Sequence, residues 1–140
     1  MATQSALAMN QKKPSSCPTV NALASVGVNY AEYEKSQEDP RTGAWVAFQL
    51  NNNYSTDAEW SFYILPFRAD SASDALANAN AAIPRLAIWG FGEPVENHSG
   101  DGWDCLYSTD DAGIMALAQT PARNPDEISI ASRYKMAMHH

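Results

Sequence analysis

Few side chains in this 140-residue sequence have the chemistry of a catalyst. Nucleophilic catalysis requires a nucleophile beside a base, which is usually histidine. Two of the three histidines, His139 and His140, are the last residues, and His98 lies inside the chain in a segment rich in Gly, Asn and Ser. The sequence has no GxSxG elbow, no HExxH or Cys/His zinc cluster and no phosphate-binding glycine loop. We therefore predict no catalytic residue, no metal site and no enzymatic activity.

The two cysteines, Cys17 and Cys105, are too far apart in sequence to form a CxxC motif. They are either two buried free thiols or one structural disulfide, and the even count, the small size and the scarcity of aliphatic residues favour the disulfide. Closing so long a loop would stabilise the fold by about 4.5 kcal/mol. Such a bond would place the protein outside the reducing cytosol. Because the opening residues lack the apolar core of a signal peptide, we expect the mature form of a secreted or periplasmic protein, with its leader removed.

Four tryptophans and six tyrosines compensate for the scarcity of aliphatic residues. These rings either build the core or line an apolar pocket, and an aromatic pocket suits a flat macrocycle such as haem. Haem iron takes His, Tyr, Met or Cys as an axial ligand, and without a CxxCH motif any haem would be bound non-covalently. The residues that we select as candidate ligand-binding residues are His98, Tyr107, Trp103 and Trp60.

The charge balance limits the class of partner. The chain has 9 Lys and Arg against 16 Asp and Glu, and a formal net charge of −7. This acidity argues against nucleic acid and against anionic membranes, because both require a surplus of basic residues. No apolar run reaches the ~18 residues of a membrane span. The remaining partners are a small apolar ligand or a basic protein surface, and the oligomeric state stays open.

Apolar spacing and turn residues predict the elements that position these side chains. Residues 1–16 are predicted to be a flexible tail, and residues 17–138 a single domain. A helix is expected to begin at Pro18 and end at Gly27. The other predicted elements are strands 44–50 and 58–68, a helix 72–83 capped by Ser71 with Asp74, a hairpin 103–120 and a final strand 128–138, for which a helix is the alternative.

This order of elements predicts an α+β fold. We expect an antiparallel sheet of about four to five strands with two helices, of which helix 72–83 packs on one sheet face. Strand 58–68 is apolar on both faces and is therefore expected near the centre of the sheet. In that strand, Trp60, Phe62 and Ile64 should share one face and Tyr63, Leu65 and Phe67 the other. A Cys17–Cys105 disulfide would pin the first helix to the sheet.

Several short motifs resemble those of a known family. They are Cys17-Pro18, Trp60-Ser61-Phe62, an Ala/Asn-rich helix at 75–82 and the stretch Trp103-Asp104-Cys105-Leu106-Tyr107. Over about residues 17–120, the chain resembles small secreted bacterial proteins of intracellular gamma-proteobacteria, described as of unknown function or as hemin-binding. The resemblance implies export, a Cys17–Cys105 bond and hemin association. It carries over no catalytic or ligand-binding residue.

Two hypotheses of function follow. The first is a secreted, non-enzymatic binding protein for a small apolar ligand, with non-covalent hemin as the candidate. The alternative is a secreted protein-interaction module or effector without a cofactor, whose acidic surface meets a basic partner. A hydrolase built on carboxylates such as Asp101 and Asp104 is the least favoured reading, because nothing in the sequence places those groups together.

Overall fold

The computed structural model describes residues 12–35, 43–97, 100–110 and 113–122. The predicted strand 128–138, His98 and residues 1–11 of the predicted tail lie outside these ranges. Within them, the elements in chain order are α1 (Val20–Val26), β1 (Tyr30–Lys35), β2 (Gly43–Asn52), β3 (Trp60–Phe67), α2 (Ala72–Ala82), a 3-10 turn (Ile83–Arg85), β4 (Ala87–Ile88), β5 (Val95–Glu96), β6 (Trp103–Ser108) and β7 (Met115–Thr120).

The described strands form one antiparallel sheet of seven strands in the order β1-β2-β3-β7-β6-β4, with β5 also paired to β6. The α+β class is confirmed, as is the hairpin of β6 and β7. The expected count of about four to five strands is too low for two reasons. Strands β4 and β5 have two residues each, and β1 has the sequence YAEYEK, whose charged residues obscure the strand pattern.

Strand β3 lies in the middle of the sheet, as predicted. It pairs with β2 on one side and β7 on the other, and its first five residues are buried. The prediction for Phe67 is wrong, because this residue packs in the core cluster of Trp60 and not in that of Tyr63. The pairing of β2 with β3 shifts register between Trp45 and Ala47, and this shift breaks the simple alternation of faces.

Helix α1 begins later than predicted. Thr19 is its N-cap, and the Thr19 hydroxyl accepts a 3.1 Å hydrogen bond from the Ala22 amide. Pro18 lies before the cap. The cap position favours a side chain that accepts a hydrogen bond from a free amide of the first turn, and threonine has such a side chain whereas proline does not. The predicted end at Gly27 is confirmed. Gly27 has φ 74°, and a Cβ added there would lie 2.6 Å from Oδ1 of Asn80.

Helix α2 confirms the predicted helix 72–83 and its cap. The Ser71 hydroxyl accepts a 3.1 Å hydrogen bond from the Asp74 amide. The buried side of the helix consists of Ala75, Ala79 and Ala82, and these small side chains let it lie closely over β1, β2 and β3. At Pro84 the chain passes into the 3-10 turn, as expected of a proline that interrupts helical hydrogen bonding.

The sheet separates two apolar clusters. The larger cluster lies between the sheet and α2 and contains Trp60, Phe62, Tyr107 and Ile83. The smaller cluster lies on the opposite face, with Val46, Phe48, Tyr63 and Leu117 as its buried members. We refer below to the face that carries this smaller cluster as the far face.

The predicted disulfide is present. Cys17 and Cys105 are joined with an S–S distance of 2.06 Å and a Cα–Cα distance of 5.9 Å. Both residues are buried. The bond ties the segment immediately before α1 to the middle of β6.

Candidate functional site

The candidate ligand-binding residues do not line one common pocket in the described structure. Trp60 and Tyr107 are buried in the larger core cluster, Trp103 is half-buried at the start of β6, and His98 is outside the described ranges. The described residues of the site predicted from aromatic content are therefore divided between the core and the start of β6.

Trp60 and Tyr107 use their polar atoms inside the protein. The Trp60 indole N–H donates a 2.8 Å hydrogen bond to the Thr56 hydroxyl. The Tyr107 hydroxyl donates a 2.6 Å hydrogen bond to the carbonyl of Pro18. Burial raises the pKa of Tyr107 far above its ordinary value, so its hydroxyl stays protonated at neutral pH. This arrangement supports packing rather than contact with a ligand.

One face of Trp103 is occupied by the N-terminal segment. Lys13 Nζ lies 5.8 Å from the centroid of the Trp103 ring and 3.7 Å from Oε2 of Glu93. A cation over an exposed aromatic ring contributes about 0.5–1 kcal/mol, and a surface ion pair contributes about 0–1 kcal/mol. Lys13 therefore covers Trp103 with a weak contact that other groups can replace.

Of the acidic residues considered for hydrolysis, Asp104 is engaged within the sheet. Asp104 is buried on β6, and its Oδ1 accepts a 3.1 Å hydrogen bond from the Gln119 amide on the paired strand β7. Among the residues that the structure describes, no group of three or more His, Cys, Asp or Glu side chains could hold a metal ion. Asp104 thus fits a role in fixing the register of β6 and β7.

A loop that sequence reasoning overlooked carries the most exposed apolar side chain of the described chain. We define the edge loop as residues 89–95, which comprise the connection from β4 to β5 and Val95, the first residue of β5. Both of these strands pair with the same edge of β6, through Ile88–Tyr107 and Val95–Asp104. Phe91 lies in this loop with a relative exposure of 103%. The available signal was a large apolar residue between two glycines, Gly90 and Gly92.

Three hydrogen bonds hold the edge loop against the body of the protein. The Trp89 amide donates to the Leu106 carbonyl at 2.9 Å, and the Trp89 indole N–H donates to the Ser108 hydroxyl at 2.9 Å. The Cys17 amide donates to the Gly92 carbonyl at 3.1 Å. The loop is therefore fixed at both ends and next to the disulfide.

The glycines that flank Phe91 explain how the loop turns outward. Gly90 has φ 69° and Gly92 has φ 81°, a left-handed conformation that glycine adopts without a steric penalty. No heavy atom lies within 4 Å of a Cβ placed at either glycine. The glycines are thus required for backbone conformation and not for close packing.

Two further exposed apolar residues of the edge loop lie on the far face. Residues directly opposite in an antiparallel pair share a face, so Val95 lies on the same face as Asp104. The amide of Trp89 bonds to Leu106, which places Trp89 on that face too. Trp89 and Val95 are 40% and 51% exposed. We define the edge patch as Trp89, Phe91 and Val95.

Comparisons with known proteins identify a family but no characterised relative. Residues 16–135 match a family model described as domain of unknown function (DUF4949). No curated protein and no solved structure matches the chain. Neither helix of the described chain has the length and apolar character needed to cross a bilayer.

Proposed function

The chain belongs to the family described as domain of unknown function (DUF4949), and from that premise we propose that it is an extracytoplasmic, non-enzymatic binding protein whose ligand is another protein. The observation that carries this proposal is the complete exposure of Phe91 in a loop that is anchored by hydrogen bonds. An apolar ring held in water gains free energy when a partner covers it.

The disulfide supports the extracytoplasmic part of the proposal. Structural disulfides persist in secreted and periplasmic proteins and are rare where thiols are kept reduced. Cys17 and Cys105 are both buried and bonded. We therefore propose that the protein acts in the periplasm or outside the cell.

The distribution of aromatic side chains supports binding at the surface. Trp60, Phe62 and Tyr107 are fully buried and in contact with other side chains or main-chain groups of the protein. The rings that remain accessible are at the edge of the sheet. A binding role for these rings does not require the core to open.

The test is identification and reconstitution of a partner. The purified, disulfide-bonded protein is crosslinked in the extracytoplasmic fraction of its own organism, the crosslinked protein is identified by mass spectrometry, and that protein is then purified separately. The proposal expects a saturable complex between the two pure proteins in calorimetry. A failure of every crosslinked protein to bind in purified form would overturn it.

Hemin binding is the second proposal, and the accessible rings of Trp89 and Phe91 favour it, since a flat macrocycle packs against aromatic faces. Two of the candidate residues do not fit a hemin centre, because Trp60 and Tyr107 are enclosed and hydrogen-bonded within the core. Titration with hemin should then give a saturable Soret shift that His98→Ala reduces and Tyr107→Phe leaves unchanged. The absence of any saturable shift would reject this second proposal.

A further inference from the structure

We infer that the edge patch docks into an apolar pocket of a partner protein, and that Lys and Arg side chains border that pocket. This inference rests on the proposed function and adds the site and the chemistry of the partner.

The first argument is the apolar character of the edge patch. Trp89, Phe91 and Val95 are all large and exposed, and their burial against a partner would remove apolar surface from water. Aromatic side chains are also the residues that most often dominate the binding energy of protein interfaces. Burying the patch therefore provides a substantial driving force for association.

The second argument is the fixed position of the patch. Hydrogen bonds from Trp89 to β6 and from Cys17 to Gly92 define the loop before any partner arrives. Binding by a loop that is already ordered avoids the entropy cost of ordering it. The edge loop is thus both ordered and apolar, and these two properties are typical of a segment that recognises a partner.

The third argument separates this patch from the other exposed aromatic residues. Tyr30 stacks on Phe48 with ring centroids 5.6 Å apart, and Tyr33 meets Trp45 edge-on at 5.6 Å. These tyrosines have a packing role that accounts for their position. The complete exposure of Phe91 leaves it without an equivalent packing role.

The fourth argument is charge, which determines the kind of partner. Glu93 and Glu96 are exposed in and beside the edge loop, and the whole chain has a net charge of −7. Complementary charge around an apolar contact accelerates association and excludes partners of the same sign. Glu93 has a weak surface pairing with Lys13, which a basic partner can displace. Insertion into a membrane is disfavoured, because these carboxylates would approach anionic headgroups.

The experiment compares Phe91→Ser with Val26→Ser, a matched change of an exposed apolar residue on α1. The probes are short synthetic peptides with an apolar aromatic centre flanked by Arg and Lys, the same peptides flanked by Glu, and phosphatidylcholine vesicles. Both variants should unfold at the wild-type temperature, because neither side chain is buried.

We expect the basic peptides to bind the wild type and Val26→Ser equally and Phe91→Ser about tenfold more weakly, which corresponds to about 1.4 kcal/mol. We also expect their affinity to fall with added salt. Four results would overturn the inference: no binding of any basic peptide, equal binding of the Glu-flanked peptides, equal binding by Phe91→Ser, or preferential binding to the vesicles.

The same variants separate this inference from the proposed function. If a purified partner binds the wild type and Phe91→Ser with equal affinity, the docking surface is wrong and the proposed function stands. If no purified partner binds the wild type, the proposed function itself fails.

Discussion

The Tyr107 hydroxyl donates a 2.6 Å hydrogen bond to the Pro18 carbonyl across 89 positions of the sequence. Pro18 follows Cys17, and Tyr107 lies two positions after Cys105 on β6, so this hydrogen bond runs beside the disulfide. The segment before α1 is thus tied to β6 by a covalent bond and by a buried hydrogen bond. The two contacts can be tested separately.

Tyr107 and Tyr54 form a matched pair of buried tyrosines. Tyr107→Phe should lower the free energy of unfolding by about 1–2 kcal/mol, because the buried Pro18 carbonyl loses its donor. The Tyr54 hydroxyl has no hydrogen-bond partner in the described part of the chain, so Tyr54→Phe should be neutral or slightly stabilising. Urea denaturation of both variants measures the difference. Equal losses in the two variants would contradict this account.

The disulfide should contribute a large part of the stability. Reduction should lower the free energy of unfolding by about 4.5 kcal/mol and the melting temperature by about 10–20 °C, because the bond closes a loop with a sequence separation of 88. Calorimetry with and without reductant measures this effect. The control is the double variant Cys17→Ser, Cys105→Ser, whose melting temperature reductant should leave unchanged. An unchanged wild-type melting temperature under full reduction would refute the prediction.

Asn80 connects α2 to the segment that follows α1. Its side chain accepts a 2.9 Å hydrogen bond from the Val28 amide and donates a 3.1 Å hydrogen bond to the Val28 carbonyl. Asn80→Ala should destabilise the protein by about 1–2 kcal/mol, because it leaves both main-chain groups of Val28 without these partners. Asn78→Ala is the control, since the Asn78 side chain donates a long hydrogen bond of 3.4 Å to the Arg68 carbonyl. Chemical denaturation should rank the two variants in this order, and the reverse order would count against the predicted role of Asn80.

The N-terminal segment should detach in acid. The hydroxyl and the amide of Ser15 both donate hydrogen bonds to the Asp57 carboxylate, and these bonds lower the pKa of Asp57. A carboxyl with a lowered pKa stabilises the folded contact above its unfolded pKa of about 3.9, and this contribution is lost as the pH falls through the folded pKa. The protection of the Ser15 amide against hydrogen exchange, measured relative to the intrinsic rate at each pH, should therefore fall only in acid. In Asp57→Asn, the exchange rate should lose this additional pH dependence.

The buried tyrosines should produce the opposite dependence in alkali. Desolvation raises the pKa of both Tyr54 and Tyr107, so the folded protein keeps them protonated while the unfolded chain ionises near pH 10. The unfolded state then binds fewer protons, and stability falls as the pH rises above 10. Ultraviolet titration should show at least two tyrosines, Tyr54 and Tyr107, that ionise only when the protein unfolds. Six tyrosines that titrate together in the folded state would disprove the prediction.

The cap and the end of a helix depend on residues that are close together in sequence, so these features could be predicted from the sequence. The Ser71 cap and the stop at Pro84 follow from short-range hydrogen bonding and proline sterics, so helix α2 was predicted nearly to its exact bounds. The start of α1 was displaced because Pro18 and Thr19 both suit a helix start, and only the observed hydrogen bond from Ala22 identifies the cap.

The properties of the candidate site depend on contacts that are distant in sequence. Nothing near Tyr107 in the sequence indicates that its hydroxyl donates a hydrogen bond to the Pro18 carbonyl. Tyr107 was therefore predicted to be a ligand-binding residue. Phe91 resembled any other apolar residue, because its exposure depends on the path of the loop between β4 and β5. The sequence therefore shows the type of each side chain, but it does not show whether the fold leaves that side chain accessible.

The division of the β6 edge between β4 and β5 also affects how the protein behaves at high concentration. A long uninterrupted edge strand is a template on which other chains can add strands and aggregate. Here that edge is covered by two strands of two residues each, separated by the edge loop. This interruption protects against open-ended sheet growth on that side while side chains such as Phe91 remain accessible.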